Sequence, residues 1–249
     1  MVTPQPTPFV LGRLPRQVYH LAEEANFPSI QRHGLLSASA LLDLAGIHGE
    51  QRVRLERRQR PVHTKLANGT YLRDQNPMPA HALAGCLIGM EPENWYALIN
   101  SKVFFWFDAQ RMDRQRRACG RRPQMVMVVD TKRLLDCYAE VAALSPINSG
   151  HARRKPAVRG RNTFVPYPLW CQSGWDSETA GLGTRPRPRS HRPVELTIEG
   201  AVPDIMDFVI HVQQSAPNEP LVDLDDSIAQ RTSLLNCDAG RPFGSGSGR

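Results

Sequence analysis

The side chains able to do chemistry are scattered along this sequence, and none of the familiar nucleotide or hydrolase strings collects them. There is no G-x-x-x-x-G-K-[ST] phosphate loop and no G-x-G-x-x-G after a strand-like segment, so neither glycine-rich phosphate cradle is present. The Gly-Ser-Gly-Ser-Gly string at Gly244–Gly248 fits G-x-S-x-G but lacks the strand–turn–helix setting of a nucleophile elbow. H-E-x-x-H is absent, and the histidines and cysteines fall at no metal-ligand spacing. Cys86, Cys119, Cys137, Cys171 and Cys237 are widely spaced, odd in number and without a C-x-x-C pair, which reads as reduced thiols and not as a disulfide framework. An enzyme that handles NAD+ or a nucleotide without a metal or a phosphate loop remains open.

Charge adds a second indication. The net charge of +7 is concentrated in Arg52–Lys65, Arg111–Arg122, Arg153–Arg161 and Arg185–Arg192, while Asp204–Asp238 is acidic. Such basic runs suit a polyanion, because cations near phosphates release condensed counterions. A solvated arginine-rich surface is the alternative. One further cluster, Leu72-Arg73-Asp74-Gln75, stands out within an otherwise polar stretch.

The elements that must position these groups can be read from periodicity. Gln17–Ala22 is strand-like, with Val18, Tyr19 and Leu21. Asn26 can cap a helix carrying Pro28 in its first turn and ending at Gly34, and Leu35, Leu36 and Ala38–Ala45 continue a helical pattern with Ser37 as a cap. Glu50–Ala80 reads as a long connection or hairpin around Asn68-Gly69. Pro92–Ile99 is a helix, Lys102–Phe107 and Met125–Asp130 are buried strands, and Val194–Ile198 is a last clear strand. Asp108 caps a basic helix, Thr131 caps another, and Ile147–Arg161 and Ser173–Pro193 read as loops. This order does not alternate as a doubly wound fold requires, so the fold class is α+β. Residues 1–10 read as a flexible N-terminus, 11–213 as one catalytic-sized domain, and 214–249 as an acidic, then flexible tail. No apolar run reaches the ~18 residues of a membrane span and no signal peptide is evident, so a cytoplasmic address with no membrane partner is the expectation.

Three segments carry a resemblance. Tyr19-His20-Leu21-Ala22 with Pro28-Ser29-Ile30 and His33-Gly34-Leu35-Leu36-Ser37 looks like the opening of DarT-like ADP-ribosyltransferases, within the superfamily of poly-ADP-ribose polymerases and ADP-ribosylating toxins. Val103-Phe104-Phe105-Trp106-Phe107 resembles the family's aromatic strand, and Val194-Glu195-Leu196-Thr197-Ile198 with Gly200–Ile205 resembles its final, glutamate-bearing strand. The three occur in the family's order, whereas Glu50–Ala80 does not align with the DNA-modifying members, which suggests a divergent bacterial branch. The resemblance implies a split antiparallel β-sheet core with flanking helices, NAD+ as co-substrate, and no metal.

Transfer of ADP-ribose breaks the bond between nicotinamide and ribose and places positive charge on the sugar. A carboxylate at that ribose stabilises the charge and can hydrogen-bond the 2-hydroxyl. Glu195 is the catalytic candidate on that reasoning; an exposed glutamate paired with a nearby arginine is the alternative. His20, Tyr19, Gly34 and Leu35 are the implied dinucleotide contacts. His20 can donate from one ring nitrogen and accept at the other, which suits a ribose diol, against the alternative of a satisfied core histidine. Phe105 or Trp106 could stack on nicotinamide, although alternating faces make core packing the competing role. Arg73 is a candidate pyrophosphate clamp, and a salt bridge to Asp74 would explain it equally well. Gln75 and Asn100 are candidates to orient the substrate by hydrogen bonds. Asn148 and Ser149 are candidate cleft residues, though turn chemistry accounts for them, and Arg153 and Arg154 are candidate acceptor contacts.

The expected acceptor is a nucleic acid, DNA ahead of RNA, in a toxin or phage-defence effector whose partner would be an antitoxin or inhibitor protein. Two other readings stay open: modification of a protein or small molecule or plain NAD+ hydrolysis, and a non-catalytic nucleic-acid-binding module that kept the fold.

Overall fold

Strands form where Val, Met, Phe and Leu alternate between two covered faces. In the computed structural model, which describes residues 14–120, 122–188 and 190–215, these strands are β1 Gln17–Glu23, β2 Leu35–Leu36, β3 Thr64–Lys65, β4 Tyr71–Leu72, β5 Lys102–Trp106, β6 Gln124–Asp130, β7 Ala142–Ser145, β8 Val165–Pro166, β9 Glu195–Glu199, β10 Ala201–Val202 and β11 Val209–Ser215. Seven of them form one antiparallel sheet in the order β11-β6-β1-β5-β9-β7-β8, while β2 pairs with β10 and β3 with β4. The helices are α1 Phe27–His33, α2 Ala38–Leu44, α3 Gly49–Arg57, α4 Ala80–Ala84, α5 Pro92–Asn100, α6 Ala109–Ala118, α7 Thr131–Tyr138, α8 Tyr167–Ser173, α9 Asp176–Leu182 and α10 Ile205–Phe208. The result is a mixed helix-and-sheet fold around a large antiparallel sheet. The described residues fall in one compact unit, which runs to Pro217, and the two terminal segments read from sequence lie outside the described residues apart from Gln214 and Ser215.

Both faces of the sheet are covered, as period-2 patterning requires. Val103, Phe105, Leu144, Leu196 and Ile198 point into the main core with Met125, Met127 and Val129 of β6. The opposite face packs Phe104 and Ala143 against Trp95, Tyr96, Ile99 and Phe164, a second core organised by α4 and α5.

Several local expectations change on inspection. Leu35 and Leu36 extend as β2, because they pair with Val202 and Ala201, before α2 starts at its Ser37 cap. Asn26 does not cap α1; its amide instead pins Tyr71 at both backbone groups, with bonds of 2.7 and 3.0 Å. Asp130, not Thr131, caps α7 by accepting from the Arg133 N–H. The polar 50–80 stretch contains α3 as well as the expected hairpin. That helix has no buried residue and is held by Arg52, which pairs with Asp43 and Glu56. The segment 173–193, read as loop, contains α9.

Candidate functional site

The sheet is nearly divided in two. β1 pairs with β6 along its whole length but meets β5 at one position, Tyr19 opposite Trp106. In an antiparallel ladder alternate residues turn both backbone groups to the same neighbour. Glu24 N–H bonds to Pro123 and Phe107 N–H to Val194, so Leu21 and Glu23 of β1, and Lys102 and Phe104 of β5, face the split. A cleft of about 560 Å³ opens there, lined by both strand edges, α1, α2, α6 and the 148–151 turn. Its size falls within the roughly 300–1,000 Å³ typical of ligand pockets.

His20 bridges the split with its side chain. Nδ1 lies 2.8 Å from the Phe104 carbonyl, which can only accept, so Nδ1 carries the proton and Nε2 is left as an acceptor. Burial holds the ring neutral, lowering its pKa to about 4, although it keeps partial contact with solvent through the cleft. The core-histidine alternative is thus half met: one nitrogen is structural, the other remains available.

Glu195 stands at the start of β9, opposite Trp106 on one side and Ser145 on the other. It is 4% exposed and makes no ion pair among the described residues, unlike the exposed, arginine-paired glutamate weighed as its alternative. The Ser149 N–H donates to both carboxylate oxygens at 3.2 Å, while the Ser149 hydroxyl lies near the same carboxyl but outside hydrogen-bonding geometry. Burial drives the Glu195 carboxyl up to about 7, against the pull of Ser149 and of the Arg159 and Arg111 charges.

At the other end of the cleft Glu23, also 4% exposed, faces Arg73 at 3.0 Å, His63 at 3.6 Å and Arg122 at 3.8 Å. Arg73 further donates to Gln124 at 3.0 Å, so its fork is already engaged and its partner is Glu23 instead of Asp74. Asp74 pairs with Arg122. Arg111 and Arg114, one helical turn apart on α6, line the cleft and form no salt bridge among the described residues, though the Arg111 charge acts on Glu195.

Of the residues singled out in sequence, the cleft gathers Glu195, His20, Gly34, Leu35, Arg73, Phe105, Trp106, Gln75, Asn100, Asn148 and Ser149. Tyr19 is not among its lining residues; it forms the one backbone join between β1 and β5. Phe105 is wholly buried in the main core, which leaves Trp106, its indole N–H bonded to Gln115, as the less buried of the two stacking candidates on the cleft wall. Gln75 and Asn100 bond to each other at 3.2 Å and to buried Arg60, and Asn100 also donates to Glu56 O, so their polar atoms are largely spent inside the protein. Arg153 and Arg154 lie outside the cleft, in an adjoining recess that shares Asn148 and His151 with it. Sequence reasoning passed over Glu23 and Tyr71 as site residues, and it included Arg114 and Arg159 only within the basic runs Arg111–Arg122 and Arg153–Arg161.

Among solved structures, Thermus sp. 2.9 DarT in complex with NAD+ is similar at 11% identity over 97% of this chain and 95% of that one, with a TM-score of 0.38. Thermus sp. 2.9 DarT in complex with ADP-ribosylated ssDNA is similar at 11% identity over 92% of this chain and 91% of that one, with a TM-score of 0.37. No curated protein matches the sequence. Residues 16–209, nearly all of the described fold, match a family of unknown function, DUF7002, and the chain belongs to that family.

Proposed function

We propose that this protein transfers ADP-ribose from NAD+ to a nucleic acid. The observation that carries the reading is a buried, unpaired carboxylate, Glu195, on the wall of a cleft that opens between diverging strand edges and is shared with a neutral, half-anchored histidine.

The groups present fit the co-substrate. The Leu21 and Glu23 backbone donors and acceptors turned into the split suit a carboxamide, which needs one of each. His20 Nε2 can accept from a ribose hydroxyl, and the tether to Phe104 fixes its direction. Arg111 and Arg114 offer the pyrophosphate the guanidinium donors that Arg73 has already given to Glu23 and Gln124. In the ionised form, Glu195 would stabilise the positive charge on the sugar as the glycosidic bond to nicotinamide breaks. The bonding pair leaves with nicotinamide, and an acceptor atom forms the new bond to the same carbon. Exclusion of water around a buried carboxylate strengthens that interaction.

The nucleic-acid acceptor is favoured by the basic recess beside Glu195, where Arg153, Arg154 and Lys155 stand together with no carboxylate among the lining residues. The decisive experiment incubates the protein with labelled NAD+ and separate pools of DNA, RNA and protein. Label should enter a nucleic acid, DNA in preference. Label in protein alone, or free ADP-ribose without transfer, selects the other enzymatic readings. No loss of NAD+ in any pool overturns the enzyme.

A further inference from the structure

Arg159 is 1% exposed and forms no ion pair among the described residues. Its guanidinium is spent on carbonyl groups: Nη1 donates to Ser149 O at 3.0 Å, Nη2 to His151 O at 2.9 Å, and Nε to Ala157 O at 3.0 Å. Its backbone is fastened to the segment before α5, with its N–H on Cys86 O at 2.9 Å and its carbonyl accepting from Ile88 N–H at 2.8 Å. The cation lies over the Trp95 ring at 5.7 Å. A buried charge needs compensation on this scale, since its desolvation costs several kcal/mol. Two of the three carbonyls it has gathered, those of Ser149 and His151, belong to the turn that faces Glu195. Ser149 is gripped at both ends: its carbonyl accepts from Arg159 and its N–H donates to Glu195.

We infer that Arg159 is a positioning residue for Glu195, holding the 147–151 turn from behind so that the Ser149 N–H meets both carboxylate oxygens. It also supplies the buried positive charge that favours the ionised carboxylate. The inference rests on the proposed role of Glu195 for its meaning, but its test needs no turnover. The other groups around Glu195 are Arg111 of α6, Trp106 of β5 and Ser145 of β7, which lie on elements that Arg159 does not anchor, while His151 belongs to the turn that Arg159 holds.

The test is an NMR titration of the Glu195 carboxyl carbon in the parent, in Arg159→Lys and in Arg159→Met, with Arg161→Met as an exposed control. Loss of the charge and of the turn's anchor should raise the Glu195 midpoint by about 1 unit or more in Arg159→Met. In Arg159→Lys, which keeps the charge but cannot reach three carbonyls as a fork, the rise should be smaller, and Arg161→Met should leave the midpoint in place. A purely structural Arg159 would lower stability and leave the titration unmoved, and that result in a folded variant overturns the inference. If neither Arg159 variant folds, the parent decides. The Ser149 amide shift must then follow the Glu195 midpoint, and an amide that ignores it overturns the inference as well. A chain that titrates as expected yet turns over no NAD+ would reject the proposed function and keep the role of Arg159.

Discussion

Burial gives Glu195 a titration range that a surface carboxylate lacks, and two consequences follow. The first is catalytic. If the charge faces a cationic sugar, Glu195→Gln should lower turnover by roughly 10²–10³ with little change in NAD+ affinity, and parent activity should fall as pH drops below about 7. Steady-state kinetics from pH 5.5 to 9 reads both effects, and activity that holds level down to pH 5.5 counts against an ionised Glu195. The second concerns stability. The folded state binds this proton more tightly than an open chain does, about 7 against 4.5, so its stabilising share is complete below 4.5 and is lost as pH rises through 7. Glu195→Gln should therefore be more stable than the parent at pH 8, by up to about 3 kcal/mol, and equal to it near pH 4.5, as urea unfolding at the two pH values will report. On the proposed function, His20→Ala removes an acceptor for a ribose hydroxyl and should weaken NAD+ binding by roughly 1–3 kcal/mol. Unchanged affinity by calorimetry in a folded variant would take His20 out of the site. At this scale the sequence made residue types and order legible, but not which polar groups turn toward one another. Gln75 and Asn100 look like ligand contacts until the structure shows them bonded to each other and to Arg60, 40 residues from Asn100 in sequence.

Among the elements, the α1–β2 junction is held to narrow tolerances. Gly34 takes φ +76° with its α-carbon against β10: an added methyl would lie 2.3 Å from both the Pro203 α-carbon and the Val202 carbonyl oxygen. Backbone cannot yield as a side-chain tip can, so Gly34→Ala should cost more than the roughly 1 kcal/mol of a positive φ alone and should disturb β2 and the cleft wall. Thermal unfolding together with NAD+ affinity checks this, and a variant as stable as the parent would count against the β2–β10 packing. Much of this level was readable in advance. Runs of β-branched, aromatic and other apolar residues marked β1, β5, β6 and β9, and the caps Ser37 and Asp108 were recognisable from residue type. What escaped lacks a period of its own to read. α3 buries no residue fully and packs through Leu55 and the Arg52 ion pairs, while β2 exists only because β10 arrives from 165 residues later in the chain to pair Ala201 with Leu36.

For the molecule as a whole, arginines that form no salt bridge among the described residues are collected around the cleft. If Arg111, Arg114, Arg153 and Arg154 meet phosphates, oligonucleotide affinity should fall with salt at a log–log slope near −0.7 per single-strand contact, and each Arg→Ala substitution should flatten it by about that amount. Binding that ignores salt would move the acceptor away from nucleic acid. The single join between β1 and β5 bears on the ancestry of the cleft. One plate of the sheet, β1, β6 and β11, draws on the beginning, middle and end of the folded chain, and the other, β5, β7, β8 and β9, is interleaved between them. No cut in the sequence separates the plates, so the groove cannot be gained or lost by shuffling a module. A descendant of this fold can close the groove by plugging the gap with bulkier side chains or by zipping the strand edges shut.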